Sequence, residues 1–243
     1  MPTWYREHRP SVDLDDELAC TWQANVGGEP HSLIPDACLD VVWIDDGSVW
    51  LCGPETSGWS FSLPPGTTAV GVRFRPAVAP PVLGLDAREV LNSRIRLDGL
   101  WGDRVVRSLS GRVGDAPSPA DRVNVLEHAV RERAADAPPV DVVAAEVAAR
   151  VAAPEPARVS DLARDIGLSE RQLHRRCAAA FGYGPAVLGR ILRLQRFLAL
   201  AKTSGSAAGL AQLALMAGYA DQPHLSREVR TIAKTTPTAL LAS

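Results

Sequence analysis

The chain has 243 residues, 46% of them hydrophobic and 22% charged, which gives room for two modest domains with cores of their own. No segment approaches a membrane span, and residues 1–10 are polar and aromatic, unlike the charged-then-apolar order of a secretion signal, so cytoplasmic residence without a membrane partner is expected. Cys20, Cys38, Cys52 and Cys177 form no CxxC pair, so neither a disulfide framework nor a zinc ribbon is indicated.

From Leu39 to Phe74 the chain reads as strands. Leu39 to Ile44 and Val49 to Leu51 flank Asp45-Asp46-Gly47-Ser48, a hairpin signal because Asp-Gly tolerates positive φ. Trp59, Phe61 and Leu63 alternate with Ser60 and Ser62, and Val70, Val72 and Phe74 alternate with Gly71, Arg73 and Arg75. A period of two buries one face. Short strands joined by Pro/Gly turns predict a small β-sandwich or barrel-like sheet, cupin-like in one version.

After Pro76 the period becomes helical. Asp86 to Leu91 reads as a short helix, and Asp98 to Val113 as a longer one capped by Asp98, with Leu100, Trp101, Val105, Leu109 and Val113 near one side. Ser118-Pro119 opens another, the Ser as cap and the Pro at the first helical position, with Val123, Leu126, Ala129 and Val130 as its stripe. Such a stripe either covers a sheet, the favoured reading, or dimerises. Ala134 to Pro139 is the predicted linker, dividing a β-rich domain with accessory helices (1–137) from an all-α domain (138–243), an α+β chain overall. The charge divides there as well. Residues 138–243 hold 13 Lys/Arg against 8 Asp/Glu, net +5, and residues 1–137 hold 13 against 20, net −7. A basic second half points to an acidic partner.

That half writes one pattern twice, about 52 residues apart. In 160–185, Leu162, Ala163 and Ile166 form an apolar face, Gly167 turns, and a helix carries Arg171, Gln172, His174, Arg175 and Arg176 outward. In 209–237, Leu213, Ala214 and Ala217 are the face, Gly218 turns, and the next helix carries Gln222, His224, Ser226 and Arg227. Leu173 corresponds to Leu225, Cys177 to Val229 and Pro185 to Pro237. This is a duplicated helix-turn-helix. A major groove admits a helix, and long hydrogen-bonding side chains read its base edges. No acidic residue lies between Arg171 and Arg190, which weighs against a merely solvated face. The segment from Ala186 to Lys202, apolar at Val187, Ile191, Leu194 and Leu198, is predicted to be one long helix. About 16 residues at 1.5 Å each span ~24 Å, which holds two reading helices near the ~34 Å of successive major grooves.

Ser160 to Leu241 resembles the DNA-binding domain of AraC/XylS-type transcription regulators. The run Gly-Tyr-Ala-Asp-Gln-Pro-His-Leu-Ser-Arg at 218–227 with Thr236-Pro237 is similar to the family signature at the second unit, and Phe181-Gly182-Tyr183-Gly184-Pro185 resembles the matching end of the first. Leu225 and Val229 stand where the family often has Phe, Ala233 where an aromatic is common and Lys234 where Gly usually follows the helix. The resemblance implies a sequence-specific regulator of double-stranded DNA, with RNA polymerase as a partner if it activates, a homodimer as a further form, and no cofactor. Base contacts are expected from Arg171, Gln172, His174, Arg175, Gln222, His224, Ser226 and Arg227, and phosphate contacts from Ser169, Arg176 and Arg190.

In the front half, His31 to Asp40, Cys52-Gly53-Pro54 and Gly71 to Pro76 resemble, over about Pro30 to Trp101, the amino-terminal domain of uncharacterised function on many AraC-type regulators of actinobacteria. All six Trp lie in this half, where they serve either as core or as walls of an effector pocket. Trp43, Trp50, Cys38 and Arg73 are the pocket candidates for a small-molecule effector. His31, Cys38 and Cys52 match no standard metal-ligand spacing, and GxSxG, HExxH and phosphate-binding glycine loops are absent, so neither an enzyme nor a metal site is expected. Two other roles stay open for the front half: a protein-interaction module, or an alkyl-accepting cysteine at Cys38 or Cys52.

Overall fold

The computed structural model describes residues 4–153, 157–204 and 209–242. Its front half is built on strands β1 (Tyr5–His8), β2 (Leu18–Asn25), β3 (His31–Leu33), β4 (Asp40–Ile44), β5 (Val49–Cys52), β6 (Trp59–Phe61), β7 (Thr68–Phe74) and β8 (Arg94–Arg96). Six form one sheet in the order β1-β2-β7-β4-β5-β8, and β3 pairs with β6 as a separate ribbon. Every pairing is antiparallel. The β4–β5 hairpin turns where Asp-Gly predicted: Gly47 takes φ +83°, and Asp46 Oδ1 accepts from the Ser48 N–H at 2.8 Å. Strands β1, β2, β3 and β8 lie outside the stretch that read as strand from the sequence.

Both faces of the sheet are apolar. Val41, Trp43, Leu51, Val70, Val72 and Phe74 point into the main core, under helices. Trp22, Ala24, Val42 and Ala69 point the other way. Gly71 is where β7 lets the Trp22 ring lie flat, since a Cβ there would come within 2.4 Å of it.

Helices α1 (Ala79–Leu83), α2 (Asp98–Trp101), α3 (Asp103–Asp115) and α4 (Pro119–Ala135) follow or interleave with the last strands. The predicted helix at 86–91 is a 3-10 turn, Ala87–Val90, capped by Asp86, which accepts from the Arg88 N–H. The predicted single helix from Asp98 is two. Gly102, at φ +85° and ψ 144°, ends α2 and becomes the N-cap of α3, so Asp98 lies inside α2 and caps nothing. The break resets the helical phase, leaving Val105 exposed and Val106 buried. Helix α4 starts as read, with Ser118 Oγ accepting from the Asp121 N–H, and buries Val123, Leu126, Ala129 and Val130 in the main core against the sheet. Its stripe is a sheet cover.

The second half comprises α5 (Val142–Ala152), α6 (Val159–Ile166), α7 (Glu170–Phe181), α8 (Pro185–Ser204), α9 (Leu210–Met216), α10 (Gln222–Ala233) and α11 (Pro237–Ala242). One cluster joins Val147 and Val151 of α5 to Leu162, Leu173, Phe181 and Ile191. A second joins Leu194 and Phe197 to Leu213, Leu225, Val229 and Ile232. Leu225 and Val229, smaller than the aromatics common in the family, are nevertheless fully buried.

The halves pack on each other. Ala37 and Ala77 are buried in the first helical cluster, Gln195 Nε2 donates to the Pro35 carbonyl at 2.7 Å, and the Gly58 N–H donates to the Ile232 carbonyl at 2.5 Å. Lys234 caps α10 in the left-handed region, φ 58° and ψ 22°, as its place beyond the helix implied. A side chain there is strained by about 1–2 kcal/mol, partly offset by the extra chain entropy that glycine loses on folding. Lys234→Gly is expected to stabilise the protein by about 1 kcal/mol, read by urea unfolding; no gain, or a loss, would mean that the lysine is not strained.

Candidate nucleic-acid interface and ligand cavity

In the first unit, Gly167 closes α6 in the left-handed region at φ +73°, and the Leu168 N–H reaches back to the Ala163 carbonyl at 2.9 Å. Helix α7 then starts on a full capping box. Ser169 Oγ accepts from the Gln172 N–H, and Gln172 Oε1 accepts from the Ser169 N–H at 2.9 Å and its hydroxyl at 2.8 Å. The helix buries Leu173, Cys177 and Phe181, which leaves Arg171, His174 and Arg175 exposed. Among the described residues Arg171 and Arg175 form no ion pair. The His174 ring lies over Gly184, where an added Cβ would come within 2.3 Å of it.

The second unit repeats this design with different chemistry. Asp221 caps α10 by accepting from the His224 N–H at 2.6 Å. His224 turns inward: Nδ1 accepts from the Ala220 N–H at 3.4 Å, and the ring meets Tyr219 edge-on at 5.3 Å. Gln222 and Arg227 are exposed, and Ser226 is half-buried.

Five side chains expected on DNA therefore have other partners: Ser169 and Gln172, which bond each other at the start of α7, His224, Arg176 and Arg190. Gln172 holds the start of its own helix, and His224 the turn before its helix. Arg176 Nη1 donates to Asp141 Oδ2 at 2.9 Å, and Asp141 also caps α5 through the Val143 and Ala144 N–H groups. Arg190 Nε donates to both carboxylate oxygens of Glu228 at 3.0 Å, tying α8 to α10. Among the described residues, the expected readers that remain outward without a hydrogen-bonding side-chain partner are Arg171, His174 and Arg175 on α7 with Gln222 and Arg227 on α10. The S-x-x-Q spacing of Ser169 and Gln172 carries the signal of a capping box, and weighing it would have moved Gln172 from reader to cap.

In the front half a cavity of about 350 Å³ lies between the outer face of the sheet and the β3–β6 ribbon. Trp4, Trp22, Trp50, Trp59 and Phe61 wall it, and Asp40 and Arg73 stand at its end. They are shared with an adjoining cleft of about 280 Å³ that takes in Asp36, Cys38 and, from α8, Gln195, Leu198 and Lys202. Arg73 makes a two-pronged contact with Asp40 at 3.0 Å and lies 3.3 Å from both Asp36 and Glu7. Of the pocket candidates, Trp50 and Arg73 line the cavity and Cys38 the cleft. Trp43 does not: it faces the opposite side of the sheet, buried in the main core, with Nε1 donating to Ser110 Oγ at 3.1 Å. Burial pushes the Cys38 thiol well up and the Cys52 thiol to about 12, so neither is a ready thiolate. Among the described residues no group of three His, Cys, Asp or Glu side chains could hold a metal ion.

Residues 162–243 match the family model described as a Helix-turn-helix domain, and residues 6–96 match the Domain of unknown function (DUF6597). No curated protein matches the chain. The fold is similar to that of ToxT from Vibrio cholerae. An apo variant from strain SCE256 aligns with a TM-score of 0.51 at 12% identity, over 92% of this chain and 96% of that one. ToxT from strain O395 aligns with a TM-score of 0.50 at 12% identity, over 99% and 98%. At that identity the likeness is one of fold.

Gln172→Ala is expected to cost about 1 kcal/mol of stability through the lost cap, while Arg175→Ala stays within about 0.5 kcal/mol of the parent. Thermal unfolding of the two variants decides it, and equal melting points would remove Gln172 from its capping role.

Proposed function

We propose that this chain, a transcription regulator by its AraC-type helix-turn-helix domain, acts as a one-component regulator in which 138–243 read double-stranded DNA and 1–137 sense a small molecule. One observation carries the reading: α7 and α10 both pack on the single helix α8 and turn Arg171, Arg175, Gln222 and Arg227 outward, without side-chain partners among the described residues. At 20 residues α8 is about 30 Å long, close to the ~34 Å between successive major grooves on one DNA face. The net +5 of this half favours the phosphate backbone, and an Arg bidentate to guanine adds about 1–3 kcal/mol of discrimination.

The two units differ in chemistry. The first presents two free arginines and the second one arginine with a glutamine, so the first supplies most of the affinity and the second tunes it. With an operator identified by genome-wide footprinting, Arg171→Ala/Arg175→Ala should weaken binding more than Gln222→Ala/Arg227→Ala. A larger loss in the second pair reverses the ranking. Arg175→Ala alone should relax preference at one or two positions of a half-site; uniform weakening across sequences would make it a phosphate contact.

The aromatic cavity favours effector sensing over a protein-interaction role for the front half. Its adjoining cleft is lined partly by α8, so an occupant would touch the helix that spaces the two reading helices. A thermal-shift screen with hydrophobic metabolites separates the two roles, since a ligand at 100 times its Kd adds about 2.7 kcal/mol. The raised thiols of Cys38 and Cys52 count against alkyl acceptance, and mass spectrometry after methylating-agent treatment should find no stoichiometric adduct on either. The reading needs no catalysis and no cofactor, and it sets the protein in the cytoplasm with its DNA. A homodimer, and RNA polymerase for an activator, belong to the same reading. Among the described residues no helix is long and apolar enough to cross a membrane.

A further inference from the structure

The cavity under the β3–β6 ribbon is aromatic along its walls, and at one end it shares Asp40 and Arg73 with the adjoining cleft, which adds Glu7 and Asp36. Trp4, Trp22, Trp50, Trp59 and Phe61 supply the walls. At the end shared with the cleft, one guanidinium meets three carboxylates. Arg73 Nε and Nη2 donate to Asp40, Nη1 donates to Glu7, and Asp36 Oδ2 lies 3.3 Å from Nε. Arg73 is thereby fully committed. One guanidinium thus serves three carboxyl groups, with Lys202 of α8 the other cation lining the cleft, and burial pushes the Asp36 carboxyl above the usual range.

This arrangement discriminates by charge. An anionic ligand seeking Arg73 would have to displace Asp40, leaving a half-buried carboxylate without its partner, and Trp22 Nε1, the neighbouring donor, is already given to Asp40 at 3.0 Å. A cation meets the opposite conditions. Carboxylate oxygens are in surplus at one end, and tryptophan faces attract cations along the walls. The protein uses the same attraction on these rings, where the guanidinium of Arg94, itself a lining residue, lies 3.3 Å from the centroid of the Trp59 ring and Arg96 lies 5.5 Å from that of Trp50. A cavity of about 150 Å³ holds a benzene, so about 350 Å³ admits a body of two fused or linked rings.

We infer that the cavity takes a hydrophobic organic cation, an ammonium group on an apolar body of about two rings, with the body against Trp4, Trp22 and Trp50 and the ammonium at Glu7, Asp36 and Asp40. The inference rests on reading the cavity as the effector site and adds the ligand's chemical class.

Calorimetric titration of the full chain with tryptamine, tryptophol and indolepropionate tests it, the three sharing one indole body that carries an ammonium, a hydroxyl or a carboxylate. Tryptamine is expected to bind tightest, about tenfold or more above indolepropionate, with tryptophol between them. Glu7 is partly exposed on edge strand β1, so Glu7→Gln should fold normally; it should weaken tryptamine several-fold and leave tryptophol unchanged. Indolepropionate or tryptophol binding as tightly as tryptamine overturns the cationic class while the cavity stands as a ligand site. Equal weakening of tryptamine and tryptophol by Glu7→Gln also overturns it, because the acid would not then be reading charge. If none of the three binds at millimolar concentration, the effector reading and the cationic class fall together.

Discussion

The second half of the molecule depends on α8 serving two cores at once. Leu188 and Ile191 face the cluster of the first helix-turn-helix, and Leu194 and Phe197 face that of the second. A continuous helix cannot rotate one end without rotating the other, so the apolar stripe fixes the azimuth of both reading helices about one axis. The Arg190–Glu228 pair adds a polar tie between α8 and α10. Arg193, on the Tyr219 ring at 5.4 Å, ties α8 to the turn before α10. These interactions turn two short helix pairs, each too small to bury a core alone, into one body.

The front half solves a different problem, a sheet with two apolar faces. Helices α3 and α4 cover one face. The other is covered, among the described strands, by the short β3–β6 ribbon, and two strands cannot fill the width of six, so space is left against the tryptophans. The cavity thus follows from unequal layers.

The helical half was legible in the sequence because it is written twice. Matched apolar positions such as Leu173 with Leu225, and Gly167 with Gly218, fixed both the period and the turns. The strands from Asp40 to Phe74 were legible from alternation and from Asp46-Gly47. The facing of Trp43 was not. Val41-Val42-Trp43-Ile44 is apolar throughout because both sides of β4 are covered, and an unbroken apolar run carries no sign of which side is which. The roles of Arg176 and Arg190 were hidden for another reason. Their partners lie 35 and 38 residues away, at Asp141 and Glu228, and an outward arginine looks the same in sequence whether it meets a phosphate or a distant carboxylate. Gly102 misled differently, since a glycine inside a helical period can be tolerated or can end the helix, and here its φ of +85° ends it.

The hydrogen bond from Gly58 to the Ile232 carbonyl bears on how the molecule assembles. The last carbonyls of a helix have no donor within the helix, and at the end of α10 one of them is satisfied by a loop 174 residues earlier in the chain. During synthesis from the N-terminus the loop is made first, and the second reading helix emerges beside a donor that already awaits it. The front half is in this respect a template, and the final turn of α10 is completed by docking as well as by its own propensity.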